Sequence, residues 1–299
     1  MVASAPGVIE RTRIGVRRAA ARRQLQAVVE GRSGTVEVDV ADTSLDLATL
    51  IKKLIAGPRQ ASLSRWRLLT AFERSGAANK VVDQFAATSA DKRLQSARIA
   101  GALAMEQTVT LLAPLLSARE PELRQAAARA LGKIGGTRSA EALLRALRRR
   151  GASRTLIVEL ARAAPDLFLE VELCAPQRFG VKPAIAAAAG LRRRNAAVTP
   201  LLALLSEGSR RERAACCRAL GWIGARSSAP ALADSLRDPD WRVRISAAKS
   251  LARLGQDSYM AEIEALAFDM DPRVRRVALD VYRQLFTSTS RRAWGWQWL

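Results

Sequence analysis

Residues 238–255 read DPDWRVRISAAKSLARLG, and residues 269–286 return to the phrase as DMDPRVRRVALDVYRQLF. Each copy opens on acids, sets an arginine four residues after the second acid, and continues as small and apolar residues at helical spacing. With Arg244 as reference, the same slot holds Arg65, Arg93, Arg124, Arg154, Ala184, Arg213, Arg244 and Arg275, at steps of 28 to 31 residues. Three and four residues further on come small or apolar pairs such as Ala127 and Ala128, Cys216 and Cys217, and Ala247 and Ala248. Leu131, Leu191, Leu220 and Leu251 follow at the seventh place, which completes one apolar helix face.

Most phrases end at a residue that accepts the left-handed conformation cheaply: Gly76, Gly135, Asn195, Gly224 and Gly255. Between them lie second apolar segments, among them TVTLLAPLLSA, VTPLLALLSEG and SAPALADSLRD, several opened by Ser or Thr. Each unit of about thirty residues therefore reads as helix, turn, helix. Such a pair cannot bury its apolar stripe alone; stacked on its neighbours it completes a continuous core. The expected fold is all-α, an α-solenoid of about eight helical hairpins over residues 44–290. A basic segment with a short strand at TVEVDV is expected over 1–43, and a Trp-rich tail over 291–299.

Composition agrees with helices. Hydrophobic residues make up 49% of the 299, mostly Ala and Leu, while aromatics are only 5%. Forty-nine Lys plus Arg against twenty-eight Asp plus Glu leave a net charge of +21, a field that attracts anionic partners. There is no histidine anywhere, so Ser-His-Asp and Cys-His nucleophiles and His-ligated metals are excluded. No GxxxxGK[ST] or GxGxxG element is present, and no cofactor or metal is expected. Cys216 and Cys217 take the slots that paired alanines fill elsewhere, which assigns them to packing. A reducing cytoplasm suits this cysteine usage, and no stretch reaches the ~20 apolar residues of a membrane span.

The strings REPELRQAAARALGKIG, RRERAACCRALGWIG, DPDWRVRISAAKSLARLG and DPRVRRVALDVYRQL resemble HEAT repeats, in particular the short type first catalogued in phycobilin lyase subunits. The resemblance covers about residues 58–290 and weakens in the first, fourth and fifth units, where Ala184 replaces the arginine. It implies a helical-repeat fold, and it leaves several activities open: noncatalytic scaffold or adaptor, nucleic-acid binder including a divergent glycosylase branch, and bilin lyase-type or membrane-associated assembly subunit.

The acids at the phrase openings, including Asp240 and Asp271, suit helix N-termini. The arginines Arg65, Arg93, Arg124, Arg154, Arg213, Arg244 and Arg275 are expected to meet acids of their own or a neighbouring repeat, as a ladder along the stack. At −2, +5 and +9 from each reference position, twelve of twenty-four residues are basic and four acidic. In proteins similar to HEAT repeats the second helix lines the concave side, so Arg98, Arg129, Lys133, Arg193, Arg211, Arg218, Trp222, Arg242, Lys249, Arg253 and Arg273 are the candidate partner-binding residues. An acidic protein surface is the favoured partner, with nucleic acid the second reading. An anionic membrane surface is the third, through the basic helical stretch Arg11–Arg23 or through Trp294, Trp296 and Trp298.

Overall fold

The computed structural model describes residues 8–56, 61–178, 180–255 and 257–295. Among them are seventeen α-helices: Val8–Val29 (α1), Leu47–Ile55 (α2), Ala61–Arg74 (α3), Ala77–Asp83 (α4), Ala90–Leu103 (α5), Val109–Leu115 (α6), Pro121–Ile134 (α7), Gly136–Arg150 (α8), Arg154–Ala163 (α9), Phe168–Cys174 (α10), Lys182–Leu191 (α11), Val198–Glu207 (α12), Arg210–Ile223 (α13), Ala229–Asp234 (α14), Trp241–Leu254 (α15), Met260–Ala265 (α16) and Pro272–Gly295 (α17). The described residues hold no strand, and the chain forms two compact units, Met1–Ala146 and Leu147–Leu299. Each unit is a stack of helical hairpins.

In the first unit the N-terminal segment belongs to the core. Ala21, Leu25 and Val28 of α1 are buried with Val36, Val38, Val40, Ile51, Phe72 and Leu103 in one cluster. The TVEVDV alternation survives as burial, with its valines inward and Glu37 and Asp39 exposed, but the segment pairs with no strand. Helices α1 and α2 already cover its apolar side. Helix α2 lies against α5, while α3 packs chiefly on α1, so the first phrase, with Arg65, stands outside the regular row. Helix α5 then packs along α7.

The second unit carries the regular series. Helices α11, α13, α15 and α17 pack each on the next, and α12, α14 and α16 back the last three of them. Small residues set the spacing. A Cβ on Gly101 would lie 2.6 Å from the Ala130 Cα, one on Gly190 would lie 2.8 Å from the Ala219 Cα, and one on Gly221 would lie 2.6 Å from the Ser250 Cβ. Glycine is thus the residue that permits these backbones to touch.

The same contacts expose two slips of register. In the regular helices the third and fourth residues after the reference are buried and the fifth is exposed. In α9 that pattern falls on buried Leu160 and Ala161 with exposed Arg162, so Ile157 holds the reference slot and Arg154 is only the first residue of the helix. In α11 it falls on Ile185 and Ala186, so Lys182 holds the slot and Ala184 is core. The steps become 33 and then 25 residues, which cancel and leave the average near thirty intact. On α17, Leu279 is 47% exposed because no further helix among the described residues covers it. That helix runs unbroken to Gly295, past the expected boundary at 291.

The arginine ladder forms fully at two rungs, both in the second unit. Arg213 donates through Nε to Asp238 Oδ2 (2.7 Å) and through Nη2 to Oδ1 (2.9 Å), while its Nη1 reaches the Gly208 carbonyl (2.9 Å). Arg244 repeats this with both Asp269 oxygens at 2.8 Å and with the Asp238 and Pro239 carbonyls. Each guanidinium therefore clamps its own loop to the carboxylate of the next one. The acids of the rungs are Asp238 and Asp269. Asp240 and Asp271 instead accept the Arg242 and Arg273 amides as helix caps, each at 2.8 Å. Arg124 and Arg275 make only the carbonyl half of the clamp, Arg93 stands 3.9 Å from Glu120, and the buried Nε of Arg65 and of Arg93 has no hydrogen-bond partner.

Replacing Gly101 by Ala should destabilise the protein by about 1–3 kcal/mol through overpacking, less at most about 1 kcal/mol regained in helix propensity; Gly101→Val should lower the thermal midpoint further. Acid should weaken the rungs. Burial opposes ionisation of Asp238 and Asp269, but their arginines and the amides two residues on outweigh it and hold both pKa values below the ordinary aspartate range. Carboxylates depressed in the folded state contribute stability that is whole above roughly pH 4 and is lost as pH falls through their folded values. Asp238→Asn and Asp269→Asn should lower stability at neutral pH and flatten its acid limb, as measured by urea unfolding from pH 7 to 2.5.

Candidate functional site

The candidate cations separate into two surfaces. In the second unit, Arg211, Arg218 and Trp222 lie on α13, Arg242, Lys249 and Arg253 on α15, and Arg273 on α17. Spacings of seven and four residues put each set on one helix face. Packing of α13 on α15 and of α15 on α17 aligns these faces, so Arg211, Arg242 and Arg273 form one row and Arg218 and Lys249 the next. All six cations are exposed and Trp222 is half-buried.

The aromatic residues hold part of this surface in place. The Arg253 guanidinium lies 6.0 Å from the Trp222 ring centre. Trp241, which sequence reading left out, is covered by two guanidinium groups, Arg242 at 4.4 Å and Arg273 at 4.3 Å. A cation over an exposed Trp contributes about 0.5–1 kcal/mol, enough to bias two side chains towards one arrangement. The signal was an aromatic at the first helical position, where the corresponding helices begin with Arg210 or Pro272. Among the described residues Arg218 has no carboxylate partner; its Nη1 makes a long 3.4 Å contact to Ser246 Oγ, and desolvation by the surrounding chain lowers its pKa.

Arg193 does not join this surface. It follows the end of α11 with φ of 53° and is exposed in the turn, while its neighbours are tied down. Arg192 donates to the Ala161 carbonyl (3.1 Å) and to that of Ala164; Arg194 binds Asp166 and Glu170. The register slip in α11 moves the +9 slot from Arg193 to Leu191.

In the first unit, Arg98 on α5 and Arg129 and Lys133 on α7 meet Lys52 of α2 around a cleft of about 280 Å³. Its floor is made of Ala97, Gly101, Ala126 and Ala130, and Glu122 and Gln125 complete the wall. Lys52 was not anticipated, because nothing in its own segment shows that α2 lies beside α5.

Of the basic N-terminal stretch, Arg17 pairs with Asp42 at 2.8 Å, and α1 is docked by its apolar side. Among the described residues no helix is long and apolar enough to cross a membrane. Trp296 and Trp298 lie outside the described residues, as does the side chain of Trp294.

Comparison with known proteins gives one family. A family model described as HEAT repeats matches residues 78–161, 181–252 and 198–283. No curated protein sequence matches the chain. Among solved structures it is similar to human deoxyhypusine hydroxylase in complex with glycerol, at 22% identity over 79% of this chain and 96% of that one, with a TM-score of 0.34. Two engineered proteins are also similar: one at 18% identity over 88% of this chain and 78% of its own, TM-score 0.36, the other at 16% over 88% and 96%, TM-score 0.28.

The thiols test the packing assignment. Burial pushes both Cys216 and Cys217 up, Cys217 to about 12, so neither is a thiolate at neutral pH. A thiol reagent such as Ellman's should titrate one cysteine of the folded protein, exposed Cys174, and the other two only after unfolding; rapid reaction of all three would refute the packing role.

Proposed function

The chain belongs to the HEAT-repeat family, and from that premise we propose that it is a noncatalytic scaffold whose α13–α15–α17 surface holds an acidic protein partner. The observation that carries this reading is a division of labour among arginines. The reference arginines Arg213 and Arg244 spend their charge on Asp238 and Asp269 inside the stack, while Arg218, Lys249 and Arg253, on adjacent helices, have no carboxylate partner among the described residues. Arginines interleaved with Trp are the usual anchors of protein interfaces.

Nucleic acid suits the surface less well. Single-strand binders present bare aromatic faces on which bases stack, whereas the Trp241 ring is already covered by Arg242 and Arg273.

Affinity capture on the purified chain should retain acidic proteins, and the triple change Arg218→Glu, Lys249→Glu and Arg253→Glu should weaken binding of the retained partner. At about 1 kcal/mol for each rim charge the loss is roughly a hundredfold in Kd, with helicity by circular dichroism unchanged. Duplex or single-stranded DNA bound with affinity that falls steeply with salt, and no protein retained, would replace this reading with the nucleic-acid one.

A further inference from the structure

The cleft in the first unit presents a different problem from an open basic face. Four cations, Lys52, Arg98, Arg129 and Lys133, line one space of about 280 Å³ and only one acid, Glu122, lines it with them, a net of 4 − 1 = +3. Four arginines elsewhere in this unit are matched: Arg17 by Asp42, Arg32 by Glu30, Arg67 by the Val29 carbonyl, and Arg124 by the carbonyls of Ala118 and Arg119. In the cleft, Lys52, Arg98 and Arg129 have no hydrogen-bond or ion-pair partner among the described residues. Lys133 has an interaction of its own. Like charges gathered around one cavity repel, and folding gains nothing from the arrangement.

The position is also enforced. Gly101 brings α5 so close to Ala130 of α7 that a Cβ there would collide with backbone, which draws Arg98 and Arg129 to the walls of one cleft. The small floor residues keep that cleft open beneath the long cationic side chains.

We propose that this cleft is a binding site for a phosphoryl group, carried by a small phosphorylated molecule or by a phosphorylated side chain. A carboxylate brings one charge and two oxygens. A phosphoryl dianion brings nearly two charges and three acceptor oxygens, a match for the two guanidinium forks and the Lys52 ammonium that line the cleft. The volume lies at the small end of ligand cavities, right for such a group with little attached. The proposal rests on the first unit alone and needs none of the α13–α15–α17 surface.

The test uses the full chain with inorganic pyrophosphate, with a short phosphoserine peptide, and with the same peptide unphosphorylated but carrying aspartate. Sodium chloride at matched ionic strength is the baseline. Pyrophosphate should raise the thermal midpoint and broaden its own ³¹P resonance in the presence of protein. Both effects should be lost, by tenfold or more in apparent Kd, in Arg98→Gln/Arg129→Gln and reduced in Lys52→Gln. They should persist in the Arg218→Glu, Lys249→Glu and Arg253→Glu protein, which separates this site from the scaffold surface. Both arginines are exposed, so the double variant should fold, with an unliganded midpoint equal to or above that of the original. Binding of pyrophosphate without the phosphoserine peptide assigns the site to small molecules, and the reverse assigns it to a modified partner. Equal binding of the aspartate peptide, no response to either phosphoryl ligand, or a response untouched by Arg98→Gln/Arg129→Gln overturns the proposal.

Discussion

The distance between successive phrase helices is set by an absent side chain. Gly101, Gly190 and Gly221 each stand eight residues after their reference position and face the sixth place of the following phrase helix, occupied by Ala130, Ala219 and Ser250. At that separation a helix buries its small residues against its neighbour's and needs few large ones, which is why a chain so poor in aromatics can form a core. The guanidinium clamps follow from the same spacing, since Arg213 reaches Asp238 and Arg244 reaches Asp269 only if the helices stand one fixed step apart.

This geometry sorts the cations by depth. At the reference slot Arg213 and Arg244 are drawn into the seam and find carbonyls and carboxylates, and Arg124 and Arg275 find carbonyls. An arginine five residues later on the same helix is turned outward, with no such partners supplied by the stack. The protein's large positive charge is therefore not spread evenly in its effect: part is consumed in holding loops together, and part is left facing solvent, on the α13–α15–α17 surface and in the α2–α5–α7 cleft. The first arrangement is open and carries Trp222 and Trp241; the second is confined to a cleft of about 280 Å³.

Much of the fold was legible because the phrase recurs. The burial of Ala127, Cys216, Cys217 and Ala247 and the exposure of Arg218 and Lys249 all follow from one helix period counted from an arginine. What escaped was local or came from elsewhere in the chain. The register slips in α9 and α11 were hidden because a step three residues longer than thirty is followed by one five residues shorter, so that a uniform step passes through Arg154 and Ala184 without landing on the true slots, Ile157 and Lys182. The valines of TVEVDV were correctly inward, but alternation reports burial on one side and says nothing of whether a partner strand exists. Lys52 was missed because it meets Arg98 and Arg129 from another helix, and the Arg273 half of the cover over Trp241 likewise comes from the next helix; a single sequence does not show which helices are neighbours.

The two complete clamps have a further implication for how this chain can change length. Arg213, Arg244 and Arg275 are separated by equal steps of 31 residues, and the clamp from Arg213 to the Asp238 loop is chemically the same as the one from Arg244 to the Asp269 loop. Excising 213–243 would hand Arg244 the place of Arg213, with its aspartate still twenty-five residues ahead, and duplicating that span would insert another equivalent rung. The joint is the same at both rungs in spacing and in chemistry, so the clamp itself does not dictate how many modules the stack contains.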